Sequence, residues 1–289
     1  MSPTAGKQDA VRGILLIMAA VSTFAVLDTT AKYLSRTYPV PLIVWVRYAM
    51  HALLMLVVLG PRVGHGLVRT RRPGLQVARG VVLAASSLLF FSALAFMPIA
   101  EAAAITFLAP LIVTAMSVYF LRERVRRSAW AALAAGFVGV LLIVRPGGAV
   151  FTPAVLLPLA TAVCFATYQL MTRQLAGIDS TLATLFIGAA VGTAVVSVLL
   201  PFYWTLPHTA FDAVLFVMLG VLGAGGHFVL IRAFEHAPPS VLAPFVYVQL
   251  VTVLLLGYLV FGDFPDGLSL AGMAVIVLSG AWIAARQAR

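Results

Sequence analysis

The chain has 289 residues, of which 62% are hydrophobic and only 10% charged. Soluble domains are nearer about 45–50% apolar and 25% charged, so this composition excludes a soluble fold and describes an integral membrane protein. The net charge of +10 is carried mainly by arginines that flank apolar runs, as membrane topology demands, and so argues against a nucleic-acid partner.

The apolar runs are continuous for about 20 residues, which suits helices and excludes the short alternating strands of a β-barrel. Lys7 and Arg12 precede the first run, as in a signal peptide. That run outlasts the usual apolar core of such a peptide and lacks a clear cleavage site, so it reads as an uncleaved first span. Hydropathy predicts ten spans, at 13–34, 40–60, 77–97, 100–121, 128–145, 152–173, 181–203, 212–235, 239–261 and 267–286.

Span one ends with Asp28 and Lys32, spaced i, i+4 on one helical face, and span two begins with Arg47 after the turn residues Pro39 and Pro41. Counted from Thr37, Asp28 lies nine residues back and Arg47 ten residues on. A constant helical rise puts both at similar depth. A charge inside a bilayer costs roughly 2.5–3.5 kcal/mol on insertion scales, so two opposite charges at one depth are expected to face the protein interior. They read either as a structural ion network or as the charged wall of a substrate cavity. Pro61 to Gln76 forms the longest connection and holds Arg62, Arg69, Arg71 and Arg72. Span three carries the small patch Ala84–Ser87, a packing seam in membranes. Pro110 in span four and Pro244 in span nine lie inside their runs, where proline bends a helix and frees a carbonyl. Their matching positions mark spans four and nine as candidate moving elements.

Span six places Thr167, Tyr168 and Gln169 at mid-depth, and span nine places Tyr247, Gln249 and Thr252 there. These serve as interhelical hydrogen bonds or as a cavity lining. Tyr247 and Gln249, two apart, point in different directions on a helix. Span eight contains Gly220–Phe228, a close-packing seam with His227 as a protonatable group inside it. Arg232, near the end of the same span, has Glu235 and His236 as partners one turn on. Trp130, Trp204 and Trp282 fall near span ends, where tryptophan anchors helices at the interface.

Counting loops alternately puts fourteen lysines and arginines on the side of the N-terminus and three, Lys32, Arg36 and Arg145, on the other. The remaining two, Arg47 and Arg232, lie within spans. By the positive-inside rule both termini are cytoplasmic. Cys164 stands alone within an apolar run, which excludes an internal disulfide or a C-x-x-C pair. No catalytic motif, metal cluster or cofactor fingerprint is present, so neither a catalytic residue nor a cofactor is expected.

The chain repeats itself. Phe24–Lys32 matches Phe165–Arg173, with Asp28 over Gln169 and Lys32 over Arg173; Phe91–Phe96 matches Val229–Phe234; Tyr119–Glu123 matches Leu259–Asp263. The unit is five spans. Five is odd, so the copies, 1–147 and 148–289, cross the membrane in opposite directions. Inverted repeats of this kind are widely used for alternating access in secondary transporters.

The copies Ala93–Leu111 with Tyr119–Glu123, and Arg232–Phe245 with Tyr258–Asp263, resemble the drug/metabolite transporter superfamily, specifically its EamA-type members. The resemblance covers essentially the whole chain. It departs from the usual Gly-Glu ending of the second motif, with Arg122-Glu123 in one copy and Gly262-Asp263 in the other. It implies ten transmembrane helices as two inverted five-helix repeats, a basket around a central cavity, in a bacterial-type inner membrane. It also implies a small-molecule substrate, and in many bacterial members export of amino acids. Asp28, Lys32 and Arg47, with Ala243–Leu250, look closer to members that take up S-adenosylmethionine or riboflavin. The candidate substrate-binding residues are therefore Asp28, Arg47, Tyr168, Gln169, His227, Tyr247 and Gln249, with Lys32, Pro110 and Pro244 as structural or gating candidates. The partners expected are the substrate and the lipid bilayer, in a monomer or a dimer. A non-transporting membrane enzyme or scaffold is the reading from another class.

Overall fold

In lipid no water replaces a lost backbone hydrogen bond, so a spanning chain must satisfy its backbone internally. The computed structural model obeys this rule: it is 86% helical, with no strand among the described residues. It describes residues 3–120, 127–145, 151–175, 177–237 and 242–287. All ten predicted spans are helical, and the architecture is a ten-helix membrane fold.

Five helices are long and apolar enough to cross a membrane unbroken. They are α1 (Pro3–Leu34), α2 (Val40–Val63), α3 (Pro73–Phe96), α7 (Leu156–Leu175) and α10 (Ala210–His236). The shorter apolar elements are α4 (Ile99–Thr106), α5 (Ala109–Phe120), α6 (Arg127–Val144), α8 (Thr181–Ser197), α11 (Val248–Leu256) and α12 (Gly267–Gln287). A single turn, α9 (Leu200–Tyr203), follows α8.

Span four is broken. α4 closes at Thr106 and α5 opens at Ala109, so Pro110 stands in the first turn of a new helix, not inside a continuous one. The ring cannot donate to the Thr106 carbonyl, and it disfavours helical geometry at the residue before it. Span nine is irregular at the matching place. Ala243–Tyr247, containing Pro244, is a 3-10 turn, α11 follows, and Gly257–Phe261 is a π-turn. Gly262 ends that turn at φ +75°, a left-handed position that glycine fills without strain.

The chain forms two compact units, each drawing segments from both halves of the sequence. The first comprises Met1–Thr29, Met97–Val155 and Gly225–Arg289. Within it α6 packs along α12, and Gly139 meets Gly272 so closely that a Cβ on Gly139 would lie 2.7 Å from the Gly272 carbonyl oxygen. Absent side chains let the backbones touch and gain dispersion contacts. Ile17 and Val21 of α1 form a core with Ala233, Ala237 and Leu242. At one end Arg145 forms an ion pair with Asp266, whose other oxygen accepts the backbone N–H of Ser269 and so caps α12.

The second unit comprises Thr30–Phe96 and Leu156–Ala224. In it α3 lies against α7 and α8, and α2 against α8. Gly80 seats Val191, and Gly192 seats the ring of Tyr48, each close enough that a Cβ would clash. Both ends of this unit are tied by polar contacts between connections. At one, Asp179 accepts from the Thr70 hydroxyl, the Arg71 N–H and the Gln76 amide. At the other, the buried Tyr38 donates to Asp212 at 2.9 Å, and the His208 N–H donates to Tyr38.

Candidate functional site

Within the first unit, α1 turns a polar stripe toward α11. Ser22 and Thr252 hydroxyls lie 3.3 Å apart, and the Gln249 amide donates to an Asp28 carboxylate oxygen at 3.3 Å. Asp28 is only 8% exposed, so its charge is held by polar neighbours rather than by bulk water. His227 of α10 packs its ring 5.0 Å from Phe24. Its neighbour Gly226 makes room for that same Phe24 ring, which identifies part of the small-residue stretch as a packing seam. Tyr247 points elsewhere. Its ring lies 5.4 Å from Phe107, at the break in span four, and its hydroxyl sits on Gly280 of α12, where a Cβ would collide with it. Gln249 and Tyr247 therefore serve different neighbours.

Within the second unit, the candidate residues converge on α3. Arg47, on α2, donates from Nη1 to the Ser87 hydroxyl at 3.2 Å and lies over the rings of Tyr48 and Phe91 at 4.9 and 5.6 Å. Its Nε is buried without a hydrogen-bond partner among the described residues. The Tyr48 hydroxyl is 2.7 Å from Ser87 Oγ and donates to the Leu83 carbonyl at 3.1 Å. The small patch of span three is thus more than a seam: Ser87 holds a cation. His51 lies one helical turn from Arg47, at 5% exposure.

Sequence reasoning missed Arg79. Counted as an end-of-span charge, it is the largest fully buried side chain among the described residues, at 2% exposure. Its Nε donates to Thr172 at 2.7 Å, Nη1 to the Thr184 carbonyl at 3.0 Å and Nη2 to the Tyr168 hydroxyl at 2.7 Å. The guanidinium also covers the Tyr168 ring at 4.4 Å. All these partners are uncharged. The signal was available: Arg79 lies two residues inside the predicted span, three after Gln76, on the same helical face. Tyr168 stacks on Phe165 at 5.6 Å. Gln169 is half-buried.

The predicted residues are thus distributed over the units. Asp28, His227, Tyr247 and Gln249 belong to the first, and Lys32, Arg47, Tyr168 and Gln169 to the second. Chemically, the first unit offers a buried carboxylate with an amide and hydroxyls. The second offers two cations over aromatic rings, with hydroxyls. Among the described residues no group of His, Cys, Asp and Glu is arranged to hold a metal ion.

Comparison with known proteins gives a consistent picture. The model of the EamA-like transporter family matches twice, at residues 11–145 and 152–285. An S-adenosylmethionine uptake transporter of Rickettsia bellii is 31% identical over 74% of this chain and 73% of its own. A riboflavin transporter of Vibrio cholerae is 30% identical over 96% and 94%. A pseudopaline exporter of Pseudomonas aeruginosa is 31% identical over 92% and 94%. A solved crystal structure, 21% identical, superposes with a TM-score of 0.67 over 98% of this chain and 99% of its own, a likeness of fold.

Proposed function

This chain belongs to the EamA-like transporter family, a multi-pass bacterial membrane protein that transports small metabolites, and we propose that its substrate is an amino acid or amino-acid derivative recognised through its carboxylate. The observation that carries this reading is Arg47. The residue is part-buried; its guanidinium spends one donor on Ser87, leaves the buried Nε without a partner among the described residues, and rests on two aromatic rings. A guanidinium fork matches a carboxylate in two parallel hydrogen bonds, and the rings shelter the pair from water. Export is the direction we assign first, by alternating access between the inverted repeats 1–147 and 148–289, with both termini cytoplasmic.

A second reading is favoured by the stacked rings of Phe165 and Tyr168, which lie beside a cation. Such a surface suits a flat heteroaromatic group, and so uptake of a nucleoside-like or vitamin metabolite. The named substrates of two relatives, S-adenosylmethionine and riboflavin, both contain one.

Purified protein in liposomes, assayed with labelled amino acids, S-adenosylmethionine and riboflavin, tests both. Flux of a carboxylate-bearing compound that falls at least tenfold in Arg47→Gln, and is partly restored in Arg47→Lys, supports the first. Riboflavin flux indifferent to Arg47 supports the second. Flux of no panel member sinks both.

A further inference from the structure

The last turn of α2 and its connection to α3 carry four arginines, Arg62, Arg69, Arg71 and Arg72, and no acidic residue. All four are exposed, and none uses its guanidinium in a described ion pair or hydrogen bond. Three fall within four consecutive residues. At about 3.8 Å per residue, Arg71 lies within one Debye length, about 8 Å in physiological salt, of both Arg69 and Arg72. Mutual repulsion works against a fixed arrangement of such a segment.

Here it is structured, and the reason is local. Gly64 turns the chain at φ +56°, Gly64–Leu67 forms a 3-10 turn, and Leu67 is buried at 2% exposure. Asp179 then accepts three hydrogen bonds, from the Thr70 hydroxyl, the Arg71 backbone N–H and the Gln76 amide. Those bonds hold its carboxyl below the usual carboxylate range, the Arg71 N–H contributing most and the Thr70 hydroxyl next. The acid that touches this connection is therefore spent on its backbone and neutral side chains. It fixes the loop, and it meets the Arg71 charge only as the last and smallest of the influences on its own carboxyl. Arg62 ends α2 and Arg72 immediately precedes α3, so both anchors of the loop are the ends of spanning helices. The loop must lie at headgroup level. Val68, between Leu67 and Arg69, is 56% exposed and faces outward with them.

We propose that the Arg62–Arg72 connection is a docking surface for anionic phospholipid headgroups, ordered for that purpose by Asp179. Membrane topology explains the sign of the charge, because basic loops stay inside. It does not explain a rigid presentation of four exposed arginines in which the nearby carboxylate, Asp179, is engaged chiefly by backbone and neutral donors. Phosphate is the matching chemistry, since a guanidinium takes two of its oxygens at once, and an apolar neighbour at Val68 suits a lipid better than a dissolved anion.

The test uses the full-length protein in detergent, with phosphatidylglycerol or phosphatidylcholine added and lipid retention read by native mass spectrometry. Phosphatidylglycerol should be retained and phosphatidylcholine not. Each arginine near an anionic surface is worth about fivefold, so Arg69→Gln/Arg71→Gln/Arg72→Gln should lose retention on the order of a hundredfold. Its thermal midpoint without lipid should be unchanged, because no described bond is removed. The triple lysine variant keeps the charge and should keep most of the retention. Asp179→Asn should weaken retention while keeping every arginine. Equal retention of the two lipids, or no loss in the triple glutamine variant, overturns the proposal. So does displacement of the lipid by millimolar inorganic phosphate, which would identify a site for free anions.

Discussion

Arg79 supports a prediction in which removing a neighbour harms the fold more than removing the charge. The guanidinium is 2% exposed and, among the described residues, is met by three uncharged oxygens and the face of Tyr168. In Thr172→Val the Nε of a buried cation loses its only acceptor, which costs about 1.5–3 kcal/mol for a bond to a charged group. Tyr168→Phe strands Nη2 in the same way but keeps the ring under the cation, so its cost falls at the lower end of that range. Arg79→Met removes the cation together with its desolvation penalty. It strands little, because the Thr172 hydroxyl still donates to the Tyr168 carbonyl at 2.7 Å. Replacing a buried charged cluster by an apolar side chain of similar volume is often neutral or stabilising, so this variant should lie within about 1 kcal/mol of the parent. In the double variant Arg79→Met/Thr172→Val, the threonine change should then be nearly silent, giving a coupling energy of at least about 1.5 kcal/mol. Equilibrium unfolding of the full chain in mixed micelles measures all four species. The reasoning is refuted if the single effects add, or if Arg79→Met costs more than Thr172→Val.

Other outcomes are expected on the same footing. Gly280→Ala puts a methyl group into the Tyr247 hydroxyl and should destabilise by about 1–3 kcal/mol, as overpacking does; Tyr247→Phe should return part of it, and equal melting of the two backgrounds would count against the contact. Asp266 is held to about 2 by its hydrogen bond from Arg145 and by the Ser269 N–H. A folded-state value below the ordinary one means that the stabilisation is full above about pH 4 and is lost as pH falls towards 2. Arg145→Gln lacks most of that stabilisation, so the gap in unfolding midpoint between parent and variant should be full above about pH 4 and close as pH falls towards 2, which a titration between pH 2 and 5 would read. A reporter fused at Arg69 should read as cytoplasmic and one after Phe261 as external; the reverse would overturn the charge-based topology.

Much of this protein is legible from composition and period alone. Ten apolar runs must become ten helices, because a bilayer leaves the backbone no other partner, and each predicted span is helical. The partner of Arg232 was readable too, because Glu235 lies one turn away and i, i+3 neighbours meet on any helix; the bond is 2.6 Å. Long-range partners were not. Nothing local says that Arg79 would be enclosed by Thr172, Thr184 and Tyr168, about a hundred residues on, since a charge near a span end ordinarily snorkels to water. The prolines show the same divide. Sequence located Pro110 and Pro244 as disturbances, whereas only the folded chain decided that span four would break into two helices and span nine would become a 3-10 turn, an α-helix and a π-turn. The grouping into units was likewise beyond a linear reading. The repeat divides the chain into consecutive halves, yet each compact unit takes segments from both. Hydropathy counts how often a chain crosses the membrane, but which helices adhere depends on shape, on where Gly139 can meet Gly272 and Gly192 can seat Tyr48, and that is a property of surfaces that exist only once the helices have packed.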